Sequence, residues 1–361
     1  MSFRFQIRQI VSLILALAIS AAGSAADQVQ LSDDQVHQDI MEVHFIDVGQ
    51  GDSTLIKCGG HSMLIDAGDD SKGTTIQNYL QKQDVEKLDY LVLTHPDFDH
   101  IGGASVIITK FEIDKVFVSN YREDSKTYEK VMQALDYKGL QYTTPEVGTQ
   151  YLLGTAVITI LGPNHEYDDA NDSSIALIIR NGDNSFLFTG DAGEAAESDI
   201  LDNKIDISAD VYKAGHHGSK YSTSQCFFQA VNPACAVISC KEGNPYGHPH
   251  AETLNTFRIN GVATYRTDED GSIIATSDGK NIVFNVPPSE TWKVGEPKQE
   301  SEKFTPLPEG VTYVINKNTK KFHNPDCDSV DTIKTKNRED TTKSRDEIIS
   351  LGYTPCNKCK P

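Results

Sequence analysis

Long apolar runs are scarce in this 361-residue chain. The one that stands out, 10–19, is shorter than the ~20 residues a membrane-spanning helix needs, which excludes a polytopic membrane protein. Cysteine is sparse too: seven residues, an odd number spread from Cys58 to Cys359, do not make a dense disulfide framework. Basic residues are in deficit, 33 Lys and Arg against 52 Asp and Glu, for a net charge of −19. That balance excludes a generic nucleic-acid sponge, because holding phosphate without a metal requires Lys and Arg. There is one Trp, no internal repeat and no low-complexity tract. What remains is an ordinary globular composition, 38% hydrophobic and 24% charged, with enough chain for about two domains at ~150 residues each.

The charge is uneven. Residues 1–26 carry only Arg4 and Arg8 and 311–361 net +3, which leaves −24 on 27–310. Carboxylates at that density favour metal ions, and metal ions bind phosphate. At the N-terminus the basic flank, the apolar run and the small residues 21–26 read as a signal peptide, 1–26, cleaved near Ala25 or Ala26 and directing export; an uncleaved anchor is the alternative. From Met41 onward, short β-rich runs bounded by Gly and Asp alternate with helical segments predicted at 75–83, 128–138, 195–202, 224–231 and 251–260. Their order predicts an α/β domain over 40–286, two packed mixed sheets with outer helices. Cys226, Cys235 and Cys240 sit among apolar residues and are expected to be buried structural thiols. Residues 287–310, rich in Pro, Glu, Lys and Ser, read as an exposed linker, and 311–361 as a second unit too small to rely on a hydrophobic core.

The segment YLVLTHPDFDHIGG runs an apolar strand straight into His95, Asp97, Asp99 and His100. Four ligands within six residues converge on a small volume, and crowded carboxylates repel unless a cation lies between them. Two cations share four such ligands more comfortably than one. Further strand ends offer Asp66 in LIDAG, Asp191 in FTGD, and His216 with His217 in AGHHGS.

These motifs, together with HFIDVGQGDS (44–53) and YGHPH (246–250), resemble the metallo-β-lactamase superfamily, and within it the hydrolase domain of ComEC-type competence proteins. The resemblance implies a metallo-β-lactamase αββα sandwich over 40–286. It implies one metal on His95, Asp97 and Asp191 and another on Asp99, His100, Asp191 and His217, with Asp191 shared. His-x-Asp-x-Asp-His replaces the family's usual His-x-His-x-Asp-His, making the site harder and admitting Mn²⁺ beside Zn²⁺. Where the family usually brings a further imidazole, this chain offers Asn171 and Asp172. Two divalent ions ~3.5–4 Å apart activate water and neutralise charge on a phosphoryl oxygen. Asp99 is then the residue that orients the nucleophile, and His216 or His248 the donor toward the anionic oxygen or leaving group. Gln50, Asp52, Asn171 and Lys213 are expected to face substrate; for Lys213 the competing reading is a solvent-facing strand lysine.

In the C-terminal unit, His323-x₃-Cys327 and Cys356-x₂-Cys359 offer four soft ligands in two pairs, the pattern of a structural Zn²⁺ site; a disulfide plus a free thiol is the alternative. The unit resembles small Ada-type metal-binding modules, which implies help in holding DNA, a structural cap being the competing role. The expected function is a secreted dinuclear hydrolase of phosphodiesters, an extracellular DNase related to competence-type DNA processing, with DNA or another phosphodiester as partner and no stable protein partner. A hydrolase of small or lipid-linked phosphodiesters, resembling phosphorylcholine esterases, and a non-catalytic binding protein are the other readings.

Overall fold

The structure, a computed structural model, describes residues 38–295 and 313–361, apart from 326, 328 and 331 and the side chain of 346. The expected signal peptide and the linker residues 296–310 lie outside the described residues.

Two sheets face each other. The first runs, edge to edge, Ile282–Phe284, Ile273–Ser277, Met41–Phe45, Thr54–Cys58, His61–Ile65, Lys87–Leu93, Glu112–Val118 and Tyr142–Thr143. The second runs Ala263–Arg266, Cys235–Ile238, Val211–Lys213, Asn184–Phe188, Leu177–Asn181, Ala156–Ile160 and Gln150–Leu153. Each is antiparallel on one side and parallel on the other. The change falls at His61–Ile65 in the first and at Asn184–Phe188 in the second. Strand alternation explains the layers: Ile56 and Met63 point into the core between the sheets, while their neighbours Leu55 and Leu64 point outward to the helices. With both faces covered, the strands read as near-continuous apolar runs. Phe45 and Phe188 stack across the central core, ring centroids 6.1 Å apart.

Helices Gly73–Lys82, Ala104–Lys110 and Lys126–Lys138 cover the first sheet; Glu194–Asp202, Gln225–Val231 and Ala251–Ile259 cover the second. The five predicted helices are present within a few residues of the expected bounds. Phe98–Ile101 and Ala104–Lys110 were not expected: the sequence ASVIITK is rich in β-branched residues, and burial of Ala104, Ile107 and Ile108 overrides that propensity. Cys226 is exposed, contrary to expectation, because Gln225–Val231 turns Phe227, Phe228 and Val231 inward instead.

The expected linker is not free where it begins. Ser289 N–H donates to the Thr264 carbonyl at 2.7 Å, Ser289 and Thr291 hydroxyls bond Glu269, and Gly295 N–H donates to Pro249 at 2.9 Å. Trp292 packs against the helix-side core of the second sheet. Residues 287–295 are a strap on the body.

The C-terminal unit is a four-stranded sheet in the order Arg338–Thr341, Tyr313–Asn316, Lys321–His323 and Thr354–Pro355, with a short helix Arg345–Ser350 started by a Ser344/Glu347 capping box. Its apolar material is a handful of side chains, among them Val314, Ile315, Phe322, Val330, Ile333 and Ile348.

Candidate metal centre

The polar residues singled out in the sequence leave the strands at their C-terminal ends, where open α/β sheets place their ligands. Asp66 follows His61–Ile65, His95 follows Lys87–Leu93, Asp191 follows Asn184–Phe188, and His216 and His217 follow Val211–Lys213. His216 and His217 both adopt left-handed backbone (φ 49° and 55°), which swings two successive imidazoles toward the centre. A loop from the first sheet closes the floor: Asp52 N–H donates to the Asp99 carbonyl at 3.1 Å. Gly51, at φ 128°, has no room for a side chain, since a Cβ would lie 2.3 Å from that carbonyl oxygen.

Three imidazoles are oriented by a partner on Nδ1. His100 Nδ1 lies 2.8 Å from Asp66 Oδ2, and His217 Nδ1 lies 3.0 Å from the Ser239 carbonyl. His95 Nδ1 lies 3.1 Å from Thr94 Oγ1, whose own hydrogen goes to Asp66 Oδ2 at 2.6 Å. Acceptors on Nδ1 place the proton there and leave each Nε2 a bare lone pair. Those lone pairs are aimed at one another and at carboxylates. His100 Nε2 is 3.3 Å from both His217 Nε2 and Asp191 Oδ1. His217 Nε2 is 3.5 Å from Asp99 Oδ2 and from Asp191 Oδ2. His95 Nε2 is 3.9 Å from Asp97 Oδ2 and 4.0 Å from Asp191 Oδ2.

Electron pairs converging from all sides need a positive charge among them. His95 Nε2, Asp191 Oδ1 and Asp52 Oδ1 are buried with no hydrogen-bond partner among the described residues. Ligand atoms of Asp52, His100, Asp191 and His217 lie within 4.8 Å of one another. Hard carboxylate and borderline imidazole donors in this number fit divalent ions. The field of these carboxylates favours protons as well. Burial alone would lower His217, yet Asp191, Asp52 and Asp99 push it up to about 10. Burial, then Asp99 and Asp191, raise the Asp97 carboxyl to about 6.

The other expected site residues fall as follows. His216 Nε2 is 3.6 Å from Asp191 Oδ2 and a quarter of its side chain is exposed. His248 meets His216 edge to face, ring centroids 5.4 Å apart; burial, and the neighbouring His217 and His216, push it down to about 3, so it is a neutral imidazole. Lys213 is 4% exposed and donates to Asp52 Oδ2 at 2.9 Å, which rules out the solvent-facing alternative and ties this lysine to Asp52. Burial would raise Asp52, but Lys213 and His217 hold it well below the usual carboxylate range. Among the described residues both amide atoms of Gln50, and Asn171 Oδ1, are buried without hydrogen-bond partners, whereas Asp172 Oδ1 accepts from Gly193 N–H at 2.9 Å. Sequence reasoning gave no role to Thr94, Ser174 or Ser239, which orient the imidazoles and hold the Asp191 backbone. Ser174 lies in the NDSS segment raised for its neighbours, but a carbonyl such as that of Ser239 leaves no sequence signal.

In the C-terminal unit, ligand atoms of His323, Cys327, Cys356 and Cys359 also lie within 4.8 Å of one another, and all seven cysteines of the chain are free thiols. Asn324 N–H donates to Cys359 Sγ and Lys358 N–H to Cys356 Sγ, both at 3.4 Å. Four soft donors so disposed fit a closed Zn²⁺ site.

The profile of the metallo-beta-lactamase superfamily matches residues 46–241. ComE operon protein 3 of Bacillus subtilis (strain 168) is 30% identical over 275 residues, 71% of this chain and 35% of that protein. Recombination protein 2 of Haemophilus influenzae is 31% identical over 248 residues, 66% and 29% of the two chains. Competence protein ComA of Neisseria gonorrhoeae is 29% identical over 230 residues, 63% and 31%. The chain therefore spans about a third of the length of these curated relatives. Among the described residues no helix is long and apolar enough to cross a membrane.

Proposed function

Since the chain belongs to the metallo-beta-lactamase superfamily, we propose that it is a metal-dependent phosphodiesterase, exported from the cell, whose substrate is DNA. The reading is carried by the convergence of the three bare Nε2 atoms of His95, His100 and His217 on the carboxylates of Asp97, Asp99 and Asp191. Two divalent ions, Mn²⁺ or Zn²⁺, held by these six residues would supply Lewis acidity toward a phosphoryl oxygen and a more acidic water. The chain's own contributions are orientation and hydrogen bonding. Asp66, Thr94 and Ser239 fix the imidazole tautomers. Asp99 orients the attacking water. His248, neutral, donates a hydrogen bond rather than a proton, and His216 stands on the solvent side of Asp191 to meet the departing oxygen. The names of the competence-associated relatives favour DNA over other diesters, and a Zn²⁺-stapled, basic C-terminal unit would help hold it. Residues 1–26 carry the export part of the proposal, checked by N-terminal sequencing of protein recovered from the culture medium.

The test is turnover of bis-p-nitrophenyl phosphate and DNA by purified chain, stripped and reloaded with Mn²⁺ or Zn²⁺. Both substrates should be cleaved, and Asp99→Ala and His100→Ala should each be inactive while folded. Activity that survives either substitution overturns the assignment, and silence on both substrates moves the answer to a binding protein.

A further inference from the structure

Five aromatic side chains among the described residues are between 43% and 82% exposed: Phe98, Tyr137, Tyr142, Tyr221 and Tyr246. Three of them stand on the segments that build the metal centre. Phe98, 52% exposed, lies between Asp97 and Asp99. Tyr246, 50% exposed, stacks on His248 with ring centroids 5.6 Å apart, and the His248 ring is in turn 5.4 Å from that of His216. Tyr221, 68% exposed, follows the His216–His217 turn; the preceding Lys220 N–H donates to His250 Nδ1 at 3.1 Å, and the His250 ring is 4.8 Å from that of His248. Scattered single exposed rings need no explanation, but three on the segments of one centre do.

Cations accompany the rings. Lys220 Nζ lies 5.4 Å over the Tyr221 ring. The side chains of Lys72 and Lys241 flank Gly49, next to Gln50, with Lys72 Nζ 3.9 Å and Lys241 Cδ 3.6 Å from where a Cβ would stand. No carboxylate within ion-pair distance neutralises any of these three lysines among the described residues, in a body that is otherwise strongly acidic.

We propose that Phe98, Tyr221 and Tyr246 are a stacking platform for unpaired bases, with Lys72, Lys220 and Lys241 on the flanking phosphates, so that single-stranded rather than duplex nucleic acid is presented to the centre. The proposal rests on the phosphodiesterase reading and names its substrate class. Every base has a π-face, so stacking captures a strand without reading its sequence, whereas paired bases keep their faces in the helix. A lipid surface would call for exposed aliphatic side chains among the rings, and Leu152, Ile259 and Val283, the most exposed of these, stand on other segments. A choline-type cation would seek the same rings but meet Lys220 already over one of them.

The test is fluorescence anisotropy with fluorescein-labelled dT10 and a ten-base-pair duplex. The full metal-loaded chain is used in an Asp191→Asn background, which stops cleavage without a chelator. The single strand should bind at least about tenfold tighter than the duplex. Phe98→Ala and Tyr221→Ala should each weaken it by roughly 5- to 100-fold, the effect of losing one stacked base, and Phe98→Trp should restore it. Equal affinity for strand and duplex, or alanine variants that bind as the parent does, overturns the platform. Turnover of bis-p-nitrophenyl phosphate by the chain with Asp191 intact is measured alongside. Turnover without strand preference refutes the platform alone, and strand preference without turnover refutes the phosphodiesterase reading alone. Turnover of p-nitrophenyl phosphorylcholine that falls on Phe98→Ala assigns the rings to choline and overturns the proposal.

Discussion

The two ligand clusters of this chain are gathered in opposite ways. In the body, the three ligand imidazoles are oriented before any ion arrives: Asp66, Thr94 and Ser239 hold His100, His95 and His217 from behind, and more than sixty buried apolar side chains in three layers hold the strands that carry them. In the C-terminal unit the four ligands are themselves much of the core, with Cys327 and Cys356 packed against Val314, Val330 and Ile333. The lesson is that the same kind of ligand cluster can be a product of a fold or its cause. An ion in the body adds chemistry to a finished structure; an ion in the small unit is the staple that such a short chain requires.

The largest effect expected is therefore asymmetric. Asp191→Asn should lower kcat/KM for a phosphodiester by at least ~10³-fold, with the circular dichroism of the body unchanged. Cys356→Ser should do the reverse, leaving small-diester turnover within about twofold while 313–361 becomes an open substrate for protease. A chelator applied to the parent chain should reproduce both outcomes at once, which limited proteolysis and mass spectrometry can read in one experiment. If the body also becomes protease-sensitive without metal, the contrast between the clusters collapses.

That contrast also marks what could be read from the sequence. The His95–His100 run, Asp191, and His216–His217 were legible because ligand-type residues crowd the ends of apolar strands, and the Cys356–Cys359 pair because its spacing is characteristic of a metal knuckle. Most of the strands of the body and the five helices expected there were legible from periodicity and Gly/Asp punctuation. Other features were not, among them the helices Phe98–Ile101 and Ala104–Lys110. Lys213 on a short strand reads alike whether it faces solvent or a buried Asp52, 161 residues away in sequence. The Ser239 carbonyl is invisible to any residue-type argument. The strap 287–295 has linker composition, and only tertiary bonds such as Gly295 to Pro249 hold it down.

The Lys213–Asp52 pair tests the claim that the body holds its centre unaided. Both side chains are less than a tenth exposed, so removing one partner strands a buried charge, at a cost of about 3–5 kcal/mol. Lys213→Met should show that loss in urea denaturation of the metal-free chain, and Asp52→Asn in the same molecule should restore most of it. A loss below about 1 kcal/mol in the single variant would mean that the ion, not the scaffold, keeps the centre in shape.

Glu197 gives the smallest and most specific reading. It is buried beneath the segment that follows His217 and accepts from Thr223 N–H and, at 2.8 Å, from Ser224 N–H. Burial pushes its carboxyl up to about 7, against those two bonds. Because the folded value is raised above the unfolded 4.5, the folded chain binds the proton more tightly, and the stabilisation present below pH 4.5 is lost as pH rises toward 7. The span corresponds to about 3 kcal/mol. Glu197→Gln should remove that slope, so the difference in stability between parent and variant should change across pH 4.5–7 and be flat above it. A difference that does not vary with pH would show that Glu197 is ionised throughout, and that this wall of the centre is held by charge on the two amides.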